Sequence, residues 1–225
     1  MPVYQLTKEL IFPNPNEAID EGLLAVGGDL SEERVLLAYS HGIFPWYSND
    51  DPIMWWSPNP RLVLFPDKLK ISKSLKQKIK KGVFDIKFDT NFEEVIEHCS
   101  KVPRGEQDGT WITEEMKQAY INLYKKGFAH SVETYFDGKL VGGLYGLSLG
   151  NMFFGESMFH LITDASKIAF YYLVEKISEW DFDLIDCQVK TEHLISLGGE
   201  EISREQYLEL LSDSVKRESK VGKWK

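Results

Sequence analysis

Cysteine is scarce in this sequence, and long apolar runs do not occur in it. The 225 residues include two cysteines, Cys99 and Cys187, which lie far apart and outside any metal-ligand spacing. We therefore expect neither a disulfide network nor a structural metal site, and a reducing compartment is favoured. Because no run of about 18 apolar residues is present, we expect no transmembrane helix. The early charges of MPVYQLTKELIF are unlike a secretory signal, which favours a cytoplasmic protein.

Net positive charge is also missing. The chain has a net charge of -9 and a pI near 5.1, which argues against non-specific nucleic-acid binding by its whole surface. Residues 68–81, KLKISKSLKQKIKK, are an exception, with seven lysines and no acidic residue. Since salt screens charges beyond about 8–10 Å, this basic strip can still hold phosphates on an acidic protein. The alternative interpretation is a solvated helix face.

The first 60 residues differ in composition from the rest. They are rich in proline, glycine and tryptophan, and they contain one predicted helix, which begins after the N-cap Ser31 and ends at Gly42. The segment 42–61, GIFPWYSNDDPIMWWSPNPR, has four prolines and three tryptophans, which predicts a rigid aromatic loop. We place a boundary here, with a small N-terminal domain over 1–60 and a second domain over 61–225.

Helices and strands alternate after residue 61. The clearest signal is a hairpin in which HSVETYF and KLVGGLYGLSL flank the turn Asp137-Gly138. A third antiparallel strand (151–159), a helix (164–179) and a further strand (182–189) follow, and a capping box at Ser203 and Gln206 predicts a last helix. These patterns predict an α+β fold with a central, mostly antiparallel sheet.

The order hairpin, strand, helix, strand resembles the core of the GNAT acetyltransferase superfamily. GNAT enzymes hold the pyrophosphate of coenzyme A with a glycine-rich turn at the start of a helix. The corresponding segment here, MFHLITDASKIA, contains no glycine. The backbone cradle for a pyrophosphate is therefore not expected, and an acyl donor other than acyl-CoA is favoured.

Two polar side chains stand out in the apolar strand Leu184–Val189. Strand alternation predicts that Asp186 and Gln188 share one face and that Ile185 and Cys187 share the other. A structural pair that satisfies loop amides is one interpretation. A polar patch at a cleft, where a Gln–Asp relay orients an amine and accepts its proton, is the other. Cys187 is not expected to be a nucleophile, because it alternates away from Asp186.

A carboxylate and several tryptophans are further candidates. Glu156 lies among aromatic residues in GESMF, where it could hold a substrate ammonium or pair with a lysine at a sheet edge. Trp46 and Trp111 lie in loops and could stack on nucleobases, whereas Trp55 and Trp56 are expected to pack in the core. His130 and His193 are lone histidines without metal-ligand spacing, although His193 is close enough to the Asp–Gln strand to shape its cleft.

A series of sequence blocks resembles one family. The blocks are GLLAVGGDL, GIFPWYS, PIMWWSPNPR, GTWIT, HSVE, LVGGLYG, GESMF, ASK, DCQV and HLISLGG, and they span nearly the whole chain in this order. Together they closely resemble leucyl/phenylalanyl-tRNA–protein transferases. The resemblance implies a small N-terminal domain and a GNAT-like C-terminal domain. It also implies transfer of leucine or phenylalanine, less often methionine, from aminoacyl-tRNA to proteins with N-terminal Arg or Lys, which creates a degradation signal.

The resemblance also implies roles for individual residues. Asp186 and Gln188 match the family's relay, in which Gln188 accepts a hydrogen bond from the attacking amine. Positions that match substrate-binding residues are Trp46 and Trp111 at the adenosine, Glu156, Thr191, and the apolar pocket of Leu144, Phe153, Met158, Phe170 and Ile185. The basic helix matches a tRNA-binding cluster, which selects Lys73, Lys76, Lys80 and Lys81. No metal, coenzyme or membrane is implied, and we expect a monomer.

The chain departs from the family pattern at the rim of this predicted site. His160-Leu161 replaces an expected Ser-Arg pair, Asp164 replaces an asparagine before Ala165-Ser166-Lys167, and Thr191 replaces an asparagine-like residue. Two other functions remain open at this point. One is N-acyl transfer from acyl-CoA, and the other is a non-catalytic module that binds tRNA or basic N-termini.

Overall fold

Residues 3–102 and 112–225 are described by the structure, a computed structural model. Four short strands in the N-terminal part form a sheet in the order β1-β2-β4-β3. Their bounds are Tyr4–Leu6 (β1), Leu23–Gly27 (β2), Phe44–Pro45 (β3) and Met54–Trp56 (β4). Helix α1 (Glu32–Ser40) begins after Ser31, as predicted, and joins β2 to β3.

The interpretation of residues 42–61 as a rigid loop was wrong in part. β3 and β4 pair antiparallel within this segment, with Phe44 opposite Trp56 and Pro45 opposite Trp55. The prolines tolerate this pairing because Pro45 ends its strand and the next residue, Trp46, donates its N–H to Met54.

A seven-stranded sheet organises the rest of the chain, in the order β11-β5-β10-β9-β8-β7-β6. Its strands are Arg61–Leu64 (β5), Asp85–Phe88 (β6), Ala129–Phe136 (β7), Lys139–Leu149 (β8), Met152–His160 (β9), Leu184–Gln188 (β10) and Glu200–Ile202 (β11). Every neighbouring pair is antiparallel except β9 and β10, which run parallel. The predicted hairpin and the mostly antiparallel sheet are thus confirmed.

Helices cover both faces of this sheet. The helices of this part of the chain are Lys73–Lys80 (α2), Phe92–Ser100 (α3), Glu114–Lys125 (α4), Ala165–Ser178 (α5), Glu192–Ser196 (α6) and Arg204–Ser214 (α7), and α3, α4 and α5 make the contacts with the sheet. The side chains of Ser72, Thr113 and Ser203 cap the helices that follow them, and Ser203 forms the predicted capping box with Gln206. In the described part of the chain, no helix is long and apolar enough to cross a bilayer.

The core extends from the N-terminal sheet to one face of the large sheet. Buried Trp55 and Leu24 belong to the same apolar cluster as Phe154 on β9 and Tyr120 on α4, and α5 packs on the opposite face. Trp55 therefore packs in the core, as expected. The division into domains 1–60 and 61–225 stays a prediction.

The parallel strands β9 and β10 separate, and this separation creates the main cavity. Their pairing runs from Leu184 opposite Met152 to Asp186 opposite Phe154. β9 then continues along β8 to His160, whereas β10 ends at Gln188. Beyond Phe154 and Asp186 the two strands leave a gap, and side chains from both can face a ligand there.

Candidate active site

A cavity of about 360 Å³ lies in the gap between β9 and β10. Apolar side chains from β8, β9, β10 and α5 form most of its wall, with β3 on one side and α6 on the other. Nine of the residues to which the family resemblance assigns a role line it: Trp46, Leu144, Phe153, Glu156, Met158, Phe170, Ile185, Gln188 and Thr191. Trp111 lies outside the described residues. The structure thus brings the predicted pocket residues together, and their roles stay predictions.

The predicted arrangement of Asp186 and Gln188 on one face was wrong. The pairing of β10 with β5 shifts register between these residues, and Gln188 has a φ of 63°. This bulge breaks the alternation of side chains. Ile185, Cys187 and Gln188 consequently line the cavity, whereas Asp186 turns away toward Arg61.

Asp186 is the centre of a buried polar cluster behind the cavity. Its Oδ1 accepts hydrogen bonds from Arg61 Nε (2.8 Å) and from the backbone N–H of Gln188 (2.9 Å). Its Oδ2 accepts from Arg61 Nη2 (2.6 Å) and from the Tyr207 hydroxyl (2.7 Å). The Arg61 guanidinium also lies between the rings of Phe44 and Tyr207, 4.7 and 4.5 Å from their centroids. The contact of Asp186 with Gln188 is therefore to its backbone, and it stabilises the strained left-handed conformation there.

Glu156 is the centre of a second polar cluster, which faces the cavity. Its Oε1 accepts hydrogen bonds from the Tyr39 hydroxyl (2.6 Å) and Gln188 Nε2 (2.8 Å), and its Oε2 accepts from the Tyr120 hydroxyl (2.9 Å). Among the described residues, no lysine pairs with this carboxylate, so the edge-strand alternative does not apply. Burial raises the pKa of Glu156 to about 7, and the charge of Asp186 adds to this, against the hydrogen bonds from the tyrosines and Gln188.

The contact with Glu156 orients the amide of Gln188. An ionised carboxylate can only accept hydrogen bonds, so the amide must present Nε2 to it. The carbonyl oxygen Oε1 of Gln188 then lies on the other side of the amide, available to a ligand in the cavity. The two buried clusters thus hold Gln188 at two points, its backbone through Asp186 and its side chain through Glu156.

Four residues of these clusters were missed from the sequence. Tyr39 and Tyr120 are distant along the chain from Glu156, and nothing in their local patterns indicates the contact. Tyr207 likewise lies within an ordinary amphipathic helix. Arg61 did leave a signal, because it begins the otherwise apolar strand RLVL, where a buried charge needs a partner.

The lysines selected from the sequence are exposed on the basic strip, residues 68–81. Lys73, Lys76, Lys80 and Lys81 are solvent-exposed on or directly after α2, and within the described ranges none of them forms an ion pair. Lys78 of the same helix instead bonds Asp164 at the start of α5. Four unpaired positive charges thus lie along one helix.

The lone histidines have different environments. His130 is buried, its ring stacks on Trp224 at 3.9 Å, and its Nδ1 bonds Asp89, so its role is structural. His193 lines the cavity near Thr191, as considered from its position in the sequence.

Comparison with known families decides which kind of protein has this site. Residues 63–212 match the family described as leucyl/phenylalanyl-tRNA protein transferase, and residues 28–59 match the N-terminal domain of the same family. The chain belongs to this family. The resemblance found in the sequence is confirmed, and the cavity is the candidate active site of a transferase.

Relatives of similar length share about half of their residues with the chain. A leucyl/phenylalanyl-tRNA–protein transferase of Myxococcus xanthus is 53% identical over 226 residues, which cover 100% of this chain and 97% of the relative. A protein of the same name from Syntrophobacter fumaroxidans is 56% identical over 215 residues, which cover 96% and 92%.

Two solved structures match the chain at much lower sequence identity. L-PGS from Bacillus licheniformis aligns with 77% of this chain and 57% of its own length, with a TM-score of 0.40 and 12% identity. A GCN5-related N-acetyltransferase from Kribbella flavida aligns with 75% of this chain and 60% of its own length, with a TM-score of 0.39 and 10% identity.

Cys187 is expected to be dispensable for the chemistry of this transferase site. Burial raises the pKa of its thiol well above the ordinary value, so the reactive thiolate is scarce at neutral pH. We expect Cys187→Ala to retain transfer activity within about 5-fold, because the substitution removes one small buried atom from the wall. Steady-state transfer rates of the two proteins test this, and a drop of about 1,000-fold would instead identify a covalent intermediate on Cys187.

Proposed function

We propose that the protein transfers leucine or phenylalanine, less often methionine, from aminoacyl-tRNA to the N-terminal Arg or Lys of acceptor proteins. The observation that carries the proposal is the apolar cavity with the oriented Gln188 amide in its wall. The transferred residue becomes an N-terminal degradation signal. The protein acts in the cytoplasm as a monomer.

The apolar part of the cavity takes the transferred side chain. Leu144, Phe153, Met158, Phe170 and Ile185 surround the space, and none of them offers a strong polar partner. Such a wall disfavours polar side chains because their hydrogen-bonding groups would lose water without compensation. It separates apolar side chains only weakly, by about 1–3 kcal/mol per methylene, so acceptance of both leucine and phenylalanine is expected.

The reaction is attack of the acceptor α-amino nitrogen on the ester carbonyl of the aminoacyl-tRNA. A carbon–nitrogen bond forms, the ester carbon–oxygen bond breaks, and the proton lost by the amine is balanced by the proton gained by the ribose hydroxyl. Gln188 Oε1 accepts a hydrogen bond from the attacking amine and directs its lone pair. Because the ester is already activated, positioning supplies much of the catalysis, about 7–11 kcal/mol in the best intramolecular cases.

The other predicted residues hold the donor and the acceptor in place. Trp46 and Trp111 bind the terminal adenosine by stacking, and Thr191 contributes a further contact with the donor. Glu156 sets the orientation of the Gln188 amide, and Asp186 acts on Gln188 through its backbone. Residues 1–60 act as a domain that supplies one wall of the cavity through Trp46 and Phe44, which line it.

The body of the tRNA binds along α2. Each lysine–phosphate contact releases counterions, so binding weakens with salt. Replacing Lys73, Lys76, Lys80 and Lys81 by alanine is expected to reduce the slope of log K against log salt by about 0.7–0.9 per lost contact. Titration of charged tRNA between low and physiological salt measures this slope. An unchanged slope in the fourfold variant, or a wild-type affinity that does not depend on salt, would contradict binding by α2.

The test of the function is transfer of labelled leucine and phenylalanine from charged tRNA to peptides that begin with Arg or Lys. An Ala-initiated peptide is the control for the acceptor, and tRNA charged with a polar amino acid is the control for the donor. We expect label only on the basic peptides and only from the apolar donors. Absence of transfer by folded protein, combined with tight binding of coenzyme A or of a basic N-terminus, would overturn the proposal.

A further inference from the structure

Three side chains with N–H donors are carried by the elements that form the rim of the cavity. His193 lines the cavity itself. Lys167 lies one helical turn before Phe170 on α5, on the side of the helix that faces the cavity. His160 lies two residues after Met158 on β9, on the same side of the strand. We call these three residues, His160, Lys167 and His193, the rim cluster.

His193 lies within electrostatic reach of both other members of the rim cluster. Burial lowers the pKa of His193, and the positive charges of Lys167 and His160 lower it further. His160 is exposed, and Lys167 is 38% exposed, so both can meet a ligand. The carboxylate of Asp164 pairs closely with Lys78, at 2.5 Å, while Lys167 Nζ is 3.9 Å from it.

The rim cluster also lies on the path between α2 and the cavity. The Lys78–Asp164 ion pair joins α2 directly to the start of α5, one residue before the helix that carries Lys167. A ligand that touches the exposed lysines of α2 and also reaches into the cavity therefore passes over the start of α5. The exposed lysines of α2 and the charged Lys167 thus lie on the two helices that this ion pair joins.

We propose that the rim cluster binds the phosphates of the single-stranded 3′ end of the donor, where they join the terminal adenosine to the preceding nucleotides. The inference rests on the proposed function, since it assumes that an aminoacyl nucleotide enters the cavity. With the amino acid inside, the first phosphates of the chain lie at the mouth, and Lys167 with two imidazole N–H groups supplies donors for their oxygens. Within the described residues, the one acidic side chain in the cavity wall is Glu156, which faces the tyrosines and Gln188.

Three aminoacyl donors distinguish the proposed phosphate contact from contacts with the adenosine and with the body of the tRNA. The first is phenylalanyl-tRNA, the second is the trinucleotide CCA with phenylalanine on its 3′ end, and the third is phenylalanyl-adenosine, which has no phosphate. We expect Lys167→Ala to raise KM about 10-fold for the first two donors, as loss of one charged hydrogen bond does, and less than about 2-fold for the third. Lys167→Arg should restore most of the affinity, because it keeps the charge.

Two sets of control variants complete the design. Lys125→Ala removes an exposed charge from the end of α4, on the other face of the sheet, and should leave KM unchanged for all donors. Loss of the four α2 lysines should raise KM for phenylalanyl-tRNA alone. Equal rises for all three donors in Lys167→Ala, or no rise for any, would overturn the rim cluster as a phosphate site. Failure of the proposed function looks different, because the wild-type protein would then use none of the donors.

Discussion

Asp186→Ala is expected to lower the free energy of unfolding by about 3–5 kcal/mol, because it leaves the Arg61 guanidinium buried without a counter-charge. The carboxylate accepts two hydrogen bonds from Arg61, one from Tyr207 and one from the backbone of Gln188, and both members of the ion pair are almost fully buried. Chemical denaturation of the wild-type and variant proteins, followed by intrinsic fluorescence, measures the change.

An exposed ion pair is the matched control for this prediction. Lys190 and Glu201 are joined at 2.6 Å, but both side chains are partly exposed. Glu201→Ala should therefore change the unfolding free energy by at most about 1 kcal/mol. If Asp186→Ala were as mild as Glu201→Ala, the buried cluster behind the cavity would not stabilise the fold as the geometry indicates.

The structural role of Asp186 affects how the transfer activity of its variants is interpreted. Loss of transfer in Asp186→Ala does not by itself identify a chemical role, since the backbone of Gln188 loses its partner as well. Asp186→Asn is the informative variant, because it keeps the size of the side chain and one acceptor oxygen. If Asp186→Asn lowers the transfer rate and the unfolding free energy together, Asp186 has a positioning role. If it lowers the transfer rate and leaves the unfolding free energy unchanged, Asp186 belongs to the relay.

Glu156→Gln is expected to lower the transfer rate at pH 8 by about 10–100-fold, the size of effect that small misplacements of a reacting group produce. In the wild-type protein the ionised carboxylate forces Gln188 to present Nε2 to it. A glutamine at position 156 offers both a donor and an acceptor, so the amide of Gln188 is no longer held in one orientation.

The effect of this substitution should depend on pH. The pKa of Glu156 is about 7, so its carboxyl group becomes protonated as the pH falls through 7. A protonated carboxyl can donate a hydrogen bond, so at low pH Glu156 of the wild-type protein no longer fixes the orientation of the Gln188 amide. The Glu156→Gln variant does not fix this orientation at any pH. The ratio of wild-type to variant rates should rise with pH and level off above about 8.

The ratio of rates is the quantity to measure because the acceptor also titrates. An N-terminal amine has a pKa of about 7.7–8.0, and its protonation slows both proteins alike. Dividing the two rates removes this shared term. Tyr120→Phe is a control variant, because it removes one hydrogen bond to Glu156 and leaves the Glu156–Gln188 hydrogen bond in place. A ratio that is constant between pH 5.5 and pH 8.5 would contradict the role of Glu156 as the residue that orients the amide.

Local signals accounted for most of the fold. The hairpin followed from Asp137-Gly138 between two alternating strands, and helix starts followed from Ser31 and from the capping box at Ser203. These features depend on residues near one another in sequence, where turn and capping chemistry act. The short strands β4 and β11 were not predicted, because they are stabilised by pairing with β2 and β5, which are distant in sequence, rather than by a local pattern.

The candidate site was predictable in its members but not in its geometry. Family resemblance selected the residues that line the cavity, including Ile185, which simple alternation had opposed to Gln188. The bulge at Gln188 cannot be read from LIDCQ, since it depends on the register with β5 and on a hydrogen bond to Asp186. The contacts of Glu156 with Tyr39 and Tyr120 likewise arise only when α1 and α4 pack against the sheet.

The central claim is that the aminoacyl group occupies the gap between β9 and β10, with its carbonyl beside Gln188. A crystal structure with a non-hydrolysable phenylalanyl-adenosine amide tests it most directly. We predict the phenyl ring among Leu144, Phe153, Met158, Phe170 and Ile185, and the aminoacyl carbonyl within reach of an amine that bonds Gln188 Oε1. An analogue bound elsewhere, or one bound in the gap with its side chain toward solvent, would contradict the claim.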